Sequence, residues 1–338
     1  MTHRPLRDDL HRLARGVRYR VFRLRTPLLA YLWRRLMFRT TVIAISGSVG
    51  KTTAKECLAA VLSSRARTHK TRNNENDIHG VPRTLLAMRP WHRFAVIEIG
   101  VGAPGDMKRL ARMARPDIAI LLSVARTHTN NFRTLEETAK EKAQLLDHLS
   151  RRGTAILNAD DERVRAMAGT RRGKLLLFGR DPGCDFTVED VASGWPERLS
   201  FRVRSGDSTT SVRTLLVGTH WVSSVAAAIA ASAACGIPVD SSAQALERVP
   251  PFTARMQPVV LPSGAVVVRD EETGSPDTFN AMLKVLRESR ARRRILVISD
   301  LSDSRAKQRK RQKELGSIAA EMADVAIFVS DHGRHAVR

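Results

Sequence analysis

Aromatic residues make up only 5% of the 338-residue chain, acidic residues number 34 against 57 Lys and Arg, and there are three cysteines. Each scarcity excludes something. With so few Phe, Tyr and Trp, a base-stacking nucleic-acid surface lacks its material, and nucleic acid is not expected as a partner. Cys57, Cys184 and Cys235 are odd in number and far apart. They exclude a disulfide framework and any CxxC metal site, and they suit a reducing, cytoplasmic setting. No apolar run is long and rich enough for a spanning helix; the richest, Val225 to Cys235, is mostly alanine. The basic N-terminus lacks a following apolar stretch, so no signal peptide is expected. What is present is 43% hydrophobic residues, enough for a real core, over a length that implies about two domains.

The net charge of +23 is uneven. Residues 1–40 hold 11 Arg, no Lys and two Asp, a balance of +9. Leu10, Leu13, Val17, Val21, Leu24, Leu28 and Leu32 follow at steps of three and four, one stripe of a helix. Thr26-Pro27 interrupts the stripe as an N-cap followed by Pro at the first helical position, which predicts two helical pieces. Two readings stand side by side for this lead. It lies on an anionic membrane surface or protein partner, at the inner face of the membrane. Or it packs its stripe on the following domain and leaves Arg in solvent.

Thr41–Ile45 reads as a short buried strand that runs into Ser46-Gly47-Ser48-Val49-Gly50-Lys51-Thr52-Thr53, with a helix from about Thr52 to Ser63. Strand, Gly-rich turn, Lys-Thr and helix make a phosphate-binding loop. Glycines let backbone N–H groups approach phosphate oxygens, and the helix N-terminus favours the anion. Lys51 can reach the β- and γ-phosphates of a nucleotide, and the Thr52 hydroxyl can ligate magnesium. The general pattern has Gly five residues before Gly50, where this chain has Ile45.

Strands are predicted at Phe94–Ile99, Asp117–Ser123, Gly153–Asn158 and Lys174–Phe178, with helices at Met107–Ala114 and Thr134–Leu149 between them. That alternation implies an α/β domain with a mostly parallel sheet, whose site lies at the carboxyl ends of the strands. Glu98, His128 and Asn158 stand at or after such ends. Leu199, Phe201 and Val203 alternate with polar residues before Ser205-Gly206-Asp207, a small β addition. An Ala-rich helix, Trp221 to Cys235, precedes a linker at Val249-Pro250-Pro251. Beyond it, strands at Ala265–Arg269, Ile295–Ile298 and Val325–Val329 and two helices predict a second, shortened Rossmann-like α/β unit. The expected division is 1–40, 41–251 and 252–338.

The loop Gly47-Ser48-Val49-Gly50-Lys51-Thr52-Thr53 resembles that of the Mur ligases, which also lack the first Gly of the general pattern. The resemblance continues in order through Asn74-Glu75-Asn76, Gly80-Val81-Pro82, Val96-Ile97-Glu98, Thr127-His128, Lys140-Glu141-Lys142, Asn158-Ala159-Asp160, Gly218-Thr219-His220, Arg255 and Asp270. It implies a peptidoglycan-type, ATP-dependent ligase that joins a carboxylate substrate to an amino-acid or peptide amine through an acyl phosphate. By resemblance, Lys51, Glu98, His128 and Lys142 are catalytic. Thr52 and Glu98 hold one magnesium, and His128 with the carbamate of Lys142 a second. Gly47, Ser48, Gly50, Thr53, Asn74, Asn76, Asn158, His220, Arg255 and Asp270 surround the nucleotide.

Two stretches depart from the family where adenine and ribose are placed. Trp221 and Ser224 stand where the family has Asn. Asp270-Glu271-Glu272-Thr273-Gly274-Ser275 replaces Asp-Ser-Tyr-Asn-Ala-Asn. Only the basic lead stands where the family carries a UDP-sugar domain, and the C-terminal unit reads as short. Relatives such as folylpolyglutamate and cyanophycin-type ligases use the same core on other acids. A catalytically weak nucleotide-binding subunit is therefore the alternative to a ligase. Lys142 also admits two readings, a ligand or part of a solvated face with Glu136, Glu137, Lys140 and Glu141.

Overall fold

The computed structural model describes residues 25–125, 131–170, 173–272, 276–299 and 308–329. Residues 25–36 are helical (α1). β1 (Thr41–Ser46) enters the phosphate loop and α2 (Lys51–Ser63) leaves it. There follow β2 (Thr68–Lys70), α3 (Gly80–Leu86), β3 (Phe94–Glu98), α4 (Asp106–Ala114), β4 (Ile118–Leu121), α5 (Leu135–Asp147), β5 (Thr154–Asn158), α6 (Glu162–Ala166) and β6 (Lys174–Gly179). β7 (Phe186–Gly194), β8 (Glu197–Ser205), β9 (Ser208–Arg213), α7 (Val222–Ala234) and α8 (Val239–Leu246) complete the large unit.

All nine of these strands form one sheet, in the order β2-β3-β1-β4-β5-β6-β7-β8-β9. From β2 to β7 neighbours are parallel; β7, β8 and β9 are antiparallel. The expected β addition is thus a continuation of the main sheet rather than a separate hairpin. Gly179 and Phe178 pair with the first residues of β7 and carry the ladder across.

Continuous apolar strands bury both faces, as parallel sheets require. Ile43, Ile45, Val96 and Ile120 face α2 and α7 in one cluster. Val42, Ala44, Ile97 and Leu121 face α1, α3 and α4 in the other. β1 is central, between β3 and β4, which puts its carboxyl end, and the phosphate loop, at the point where strand order reverses.

The lead corrects one expectation. Leu28 and Leu32 of the predicted stripe point away from the domain, 59% and 49% exposed. The packed side is Ala30, Trp33, Arg34 and Met37. Arg34 is buried: Nε donates to the Ala114 carbonyl (2.8 Å), and Nη2 to the Arg115 carbonyl (3.0 Å) and the Asp117 carboxylate (2.9 Å). A guanidinium with that many acceptors is held on the inner side, and the leucines turn outward. The rest of the stripe, Leu10 to Leu24, lies outside the described residues.

After the linker, β10 (Gln257–Val260) and β11 (Val266–Arg269) form an antiparallel hairpin of their own. α9 (Pro276–Glu288), β12 (Ile295–Ser299), α10 (Gln308–Met322) and β13 (Val325–Val329) form a parallel two-stranded α/β unit. The expected strand at 265–269 therefore pairs with β10 and not with the later strands. Phe279, Leu283, Leu296, Ile298, Leu315 and Ala319 make the small core of this unit.

Candidate active site

Gly50 caps α2 in the left-handed region (φ 82°), a conformation that costs any side chain. A Cβ there would also come within 2.6 Å of Ser224 Oγ, which donates to the Gly50 carbonyl at 3.1 Å. No side chain caps the helix, so its first N–H groups stay open to an anion. Lys51 Nζ folds back on the loop, donating to the carbonyls of Gly47 (2.8 Å) and Ser48 (3.2 Å). Burial lowers the Lys51 pKa; Glu98 opposes this and Arg255 adds to it. The linker arginine is therefore close enough to the loop to be felt there.

Glu98, at the end of β3, is 1% exposed. Its Oε1 accepts from Thr52 Oγ1 (3.1 Å) and Asn76 Nδ2 (2.7 Å). Its Oε2 faces Lys55 Nζ at 3.5 Å and has no hydrogen-bond donor among the described residues. The Lys55 ammonium at ion-pair range offsets part of the cost of burying this oxygen, and its lone pairs, which accept no hydrogen bond, stay available to a metal cation. With the Thr52 hydroxyl alongside, the donor set is hard oxygen, which suits magnesium. Lys55 is wholly buried, donates to the Asn73 carbonyl (2.5 Å) and lies 3.1 Å from Glu56. It was not among the expected site residues. Its position four residues after Lys51, on the same side of the helix, was the available signal.

Thr134 begins α5 with a capping box closed by Glu137. That helix turns Glu141 and Lys142 inward, against the solvated-face reading. Glu141 accepts from the backbone N–H of Gly105 (3.0 Å) and Met107 (2.8 Å), fixing the start of α4. Burial, with help from Lys51, pushes the Lys142 ammonium down to about 7, while Glu141 pulls the other way. Lys142 is thus a buried amine within reach of the charge on Lys51, and its neutral form is well populated near neutrality.

Residues 45–232 match the Mur ligase middle domain. The chain belongs to the Mur ligase family. Over 280 residues it is 28% identical to the UDP-N-acetylmuramoyl-tripeptide–D-alanyl-D-alanine ligase of Bacillus subtilis, an alignment that covers 82% of this chain and 60% of that protein. The enzyme of the same name from Escherichia coli is 30% identical over 291 residues, covering 85% of this chain and 64% of the relative. The crystal structure of MurF from Acinetobacter baumannii superposes with a TM-score of 0.84 at 25% identity, over 93% of this chain and 69% of that one. The chain thus spans a little over three-fifths of the length of these two curated relatives.

Within this member of the family the remaining expected residues are placed unevenly. Asn76 joins Glu98, and its carbonyl accepts from Gly100 N–H (2.8 Å). Asn74 is exposed, its carbonyl accepting from Asn76 N–H (2.7 Å). Asn158 is a brace: Nδ2 donates to the Leu122 carbonyl (2.8 Å) and Oδ1 accepts from Asp160 N–H (3.1 Å). Ser48 Oγ donates to the Ala125 carbonyl (3.1 Å), tying the loop to the end of β4. Thr53 Oγ1 is buried with no partner among the described residues. His220 stacks at a tilt on Trp221, ring centroids 4.3 Å apart. Gly218 (φ 104°) makes room for it, since a Cβ there would meet the imidazole at 2.4 Å. Arg255 sits between Ala254 and Met256, both in the left-handed region (φ 56° and 47°), and its Nη2 lies 3.9 Å from the Glu272 carboxylate. Asp270 Oδ1 accepts from Met256 N–H (3.0 Å) and so holds that turn. His128 lies outside the described residues.

Proposed function

We propose that this chain is an ATP- and magnesium-dependent ligase that joins a carboxylate to the amine of an amino acid or peptide through an acyl phosphate. The observation that carries the reading is Glu98: buried at the mouth of a phosphate loop, shared by Thr52 and Asn76, with one oxygen still without a donor. The relatives' names, D-alanyl-D-alanine ligases acting on a UDP-muramoyl tripeptide, support amide formation of the peptidoglycan type. Residues 41–251 are assigned as the ATP-binding domain, 252–338 as the partner domain that carries Asp270, and the cytoplasm as the setting.

In this mechanism the uncapped N-terminus of α2 and the loop N–H groups take the β- and γ-phosphates, and Lys51 turns from the Gly47 and Ser48 carbonyls onto their oxygens. Arg255 adds positive charge from the linker. The substrate carboxylate attacks the γ-phosphorus, the bond to ADP breaks, and an acyl phosphate results. A neutral amine then attacks the acyl carbon, the C–O bond to phosphate breaks, and the amine proton leaves with the phosphate or to solvent. Phosphoryl transfer of this type needs alignment and charge neutralisation more than covalent help. Magnesium would be held by Thr52 and Glu98, with a second ion on His128 and the carbamate of Lys142, and it would offset charge on the phosphoryl oxygens. The depressed basicity of Lys142 favours that carbamate: its neutral nitrogen bonds to the carbon of CO2, and one proton is released. His220 and Asn158 shape the surroundings rather than touch the phosphates.

Lys142→Ala tests the assignment. ADP release in the presence of acid and amine should fall at least about 100-fold while ATP binding by calorimetry stays within a few fold. Unchanged ADP release, or ATP binding with no turnover by the native chain, would favour the nucleotide-binding subunit.

A further inference from the structure

Helix α1 is apolar on two opposite sides. Its inner side is occupied by the domain. Its outer side shows Leu28, Leu29, Leu32 and Leu36 at 59%, 54%, 49% and 63% exposure, followed by Phe38 at 78%. At 100° per residue those four leucines span about 100° of the helix circumference, a continuous face rather than scattered positions. A surface helix that is apolar all round is ordinarily buried. Here one half of that burial is missing, and exposed apolar patches of this kind mark sites of interaction.

The surroundings say what covers it. The end of α1 is tied to the segment 87–93: Trp33 Nε1 donates to the Met88 carbonyl, Thr40 Oγ1 to the His92 carbonyl and Arg93 Nη1 to the Arg39 carbonyl. That segment brings Trp91, 59% exposed, to the same end of the helix. Residues 25–40 and 87–93 contain no Asp or Glu, while Arg25, Arg39, Arg89 and Arg93 are exposed among them. The Arg35 guanidinium lies over the Tyr31 ring, 3.1 Å from its centroid. Leucines in the middle, Trp and Phe at one end and arginines with no acid are the composition of a helix lying in a lipid interface. A protein partner of ordinary composition would bring acidic groups to meet local cations, and nothing in the pattern of leucines requires them. Among the described residues no helix is long and apolar enough to cross a membrane.

We propose that the outer face of α1, with Phe38 and Trp91, docks this protein on an anionic phospholipid surface, the leucines entering the acyl boundary and the arginines meeting the headgroups. The arginine-rich residues 1–24, which lead directly into α1, add to the same charge. This inference does not depend on the ligase reading, because none of these residues belongs to the nucleotide site.

The test is co-sedimentation of the full chain with vesicles of phosphatidylglycerol and phosphatidylcholine, against vesicles of phosphatidylcholine alone, at low and high salt. Binding should require the anionic lipid and weaken with salt. Leu32→Ser/Leu36→Ser should weaken it at least about tenfold, because apolar area is lost from the interface. Arg25→Glu/Arg39→Glu should weaken it by a similar factor. Both variants should keep native ATP binding and unfolding temperature, since the leucines and these two arginines are exposed. Three results would overturn the proposal. One is equal binding to both vesicle types. Another is undiminished binding by the leucine variant, which would leave attraction to residues 1–24 as the whole effect. The third is a dimer in light scattering that the leucine variant dissociates, which would assign the face to a second copy.

Discussion

At the phosphate end of the site, Thr52 and Asn76 converge on one oxygen of Glu98 and leave the other without a donor, and α2 begins without a side-chain cap. At the nucleoside end most such groups are engaged within the protein, Trp221 Nε1 excepted among the described residues. Ser224 donates to Gly50, Asp270 accepts from Met256, and His220 is stacked on Trp221. One end keeps unmet polar capacity in a buried setting, and that is where a charged ligand gains most. The other presents the Trp221 indole and the Ser224 hydroxyl. The two ends can therefore be perturbed one at a time.

The largest effect is expected inside the phosphate end. Lys55→Met leaves the Glu98 carboxylate buried beside a methyl group, where it faced an ammonium 3.5 Å away. Removing one partner of a buried pair costs about 3–5 kcal/mol, to be read from denaturant unfolding. A loss under about 1 kcal/mol would mean that Glu98 is not held as a buried charge. Glu98→Gln keeps the shape and removes the charge. ADP release should fall by about 100- to 1,000-fold, with ATP binding in the absence of magnesium little changed. If turnover survives, the carboxylate is not the magnesium ligand.

The nucleoside end should respond to pH instead. Burial lowers the His220 pKa from its ordinary 6.5 to about 4, with Lys284 contributing in the same direction. The unfolded chain takes up that proton first. Stability from this residue is therefore complete above about pH 6.5 and declines as pH falls to about 4, by on the order of 3 kcal/mol. Unfolding curves across that range should be flatter for His220→Gln; an identical slope would show that the imidazole titrates normally. The smallest effect is expected at Trp221, whose Nε1 is buried without an acceptor among the described residues. Trp221→Phe keeps a ring against His220 and should move the ATP dissociation constant by less than about threefold. A tenfold weakening would mean that this N–H donates to the nucleotide and that both ends keep polar capacity for it.

Legibility in the sequence follows from how local each signal is. The phosphate loop, β1 and α2 are written in consecutive residues, and the buried strands at 94–98, 118–121, 154–158 and 174–179 are apolar runs of ordinary length. β2 is three residues with no apolar pattern, and α3 opens on Gly80-Val81-Pro82, which reads as a turn. Neither has a local signature. The joining of β6 to β7 depends on a ladder between Gly179 and Thr187, a contact that no periodicity encodes. In α1 the reading that packs the leucine stripe on the domain fails for a different reason. Its leucine stripe was the stronger pattern, but Arg34 found the Ala114 and Arg115 carbonyls and the Asp117 carboxylate, and that network fixed which side faces inward. Lys55 escaped notice because a single lysine in a helix acquires meaning only when Glu98, 43 residues away in the chain, is folded against it.

The central claim is that the phosphate end serves amide formation, and coupled product analysis tests it most directly. The full chain is incubated with ATP and magnesium over a panel of carboxylic acids with amino-acid and dipeptide amines, D-alanyl-D-alanine among them. ADP and amide are then counted together. The account predicts ADP release only when an acid and an amine are both present, with one ADP formed for each amide bond. Release of ADP that no acid and no amine in the panel alters, by a chain that binds ATP, would contradict it.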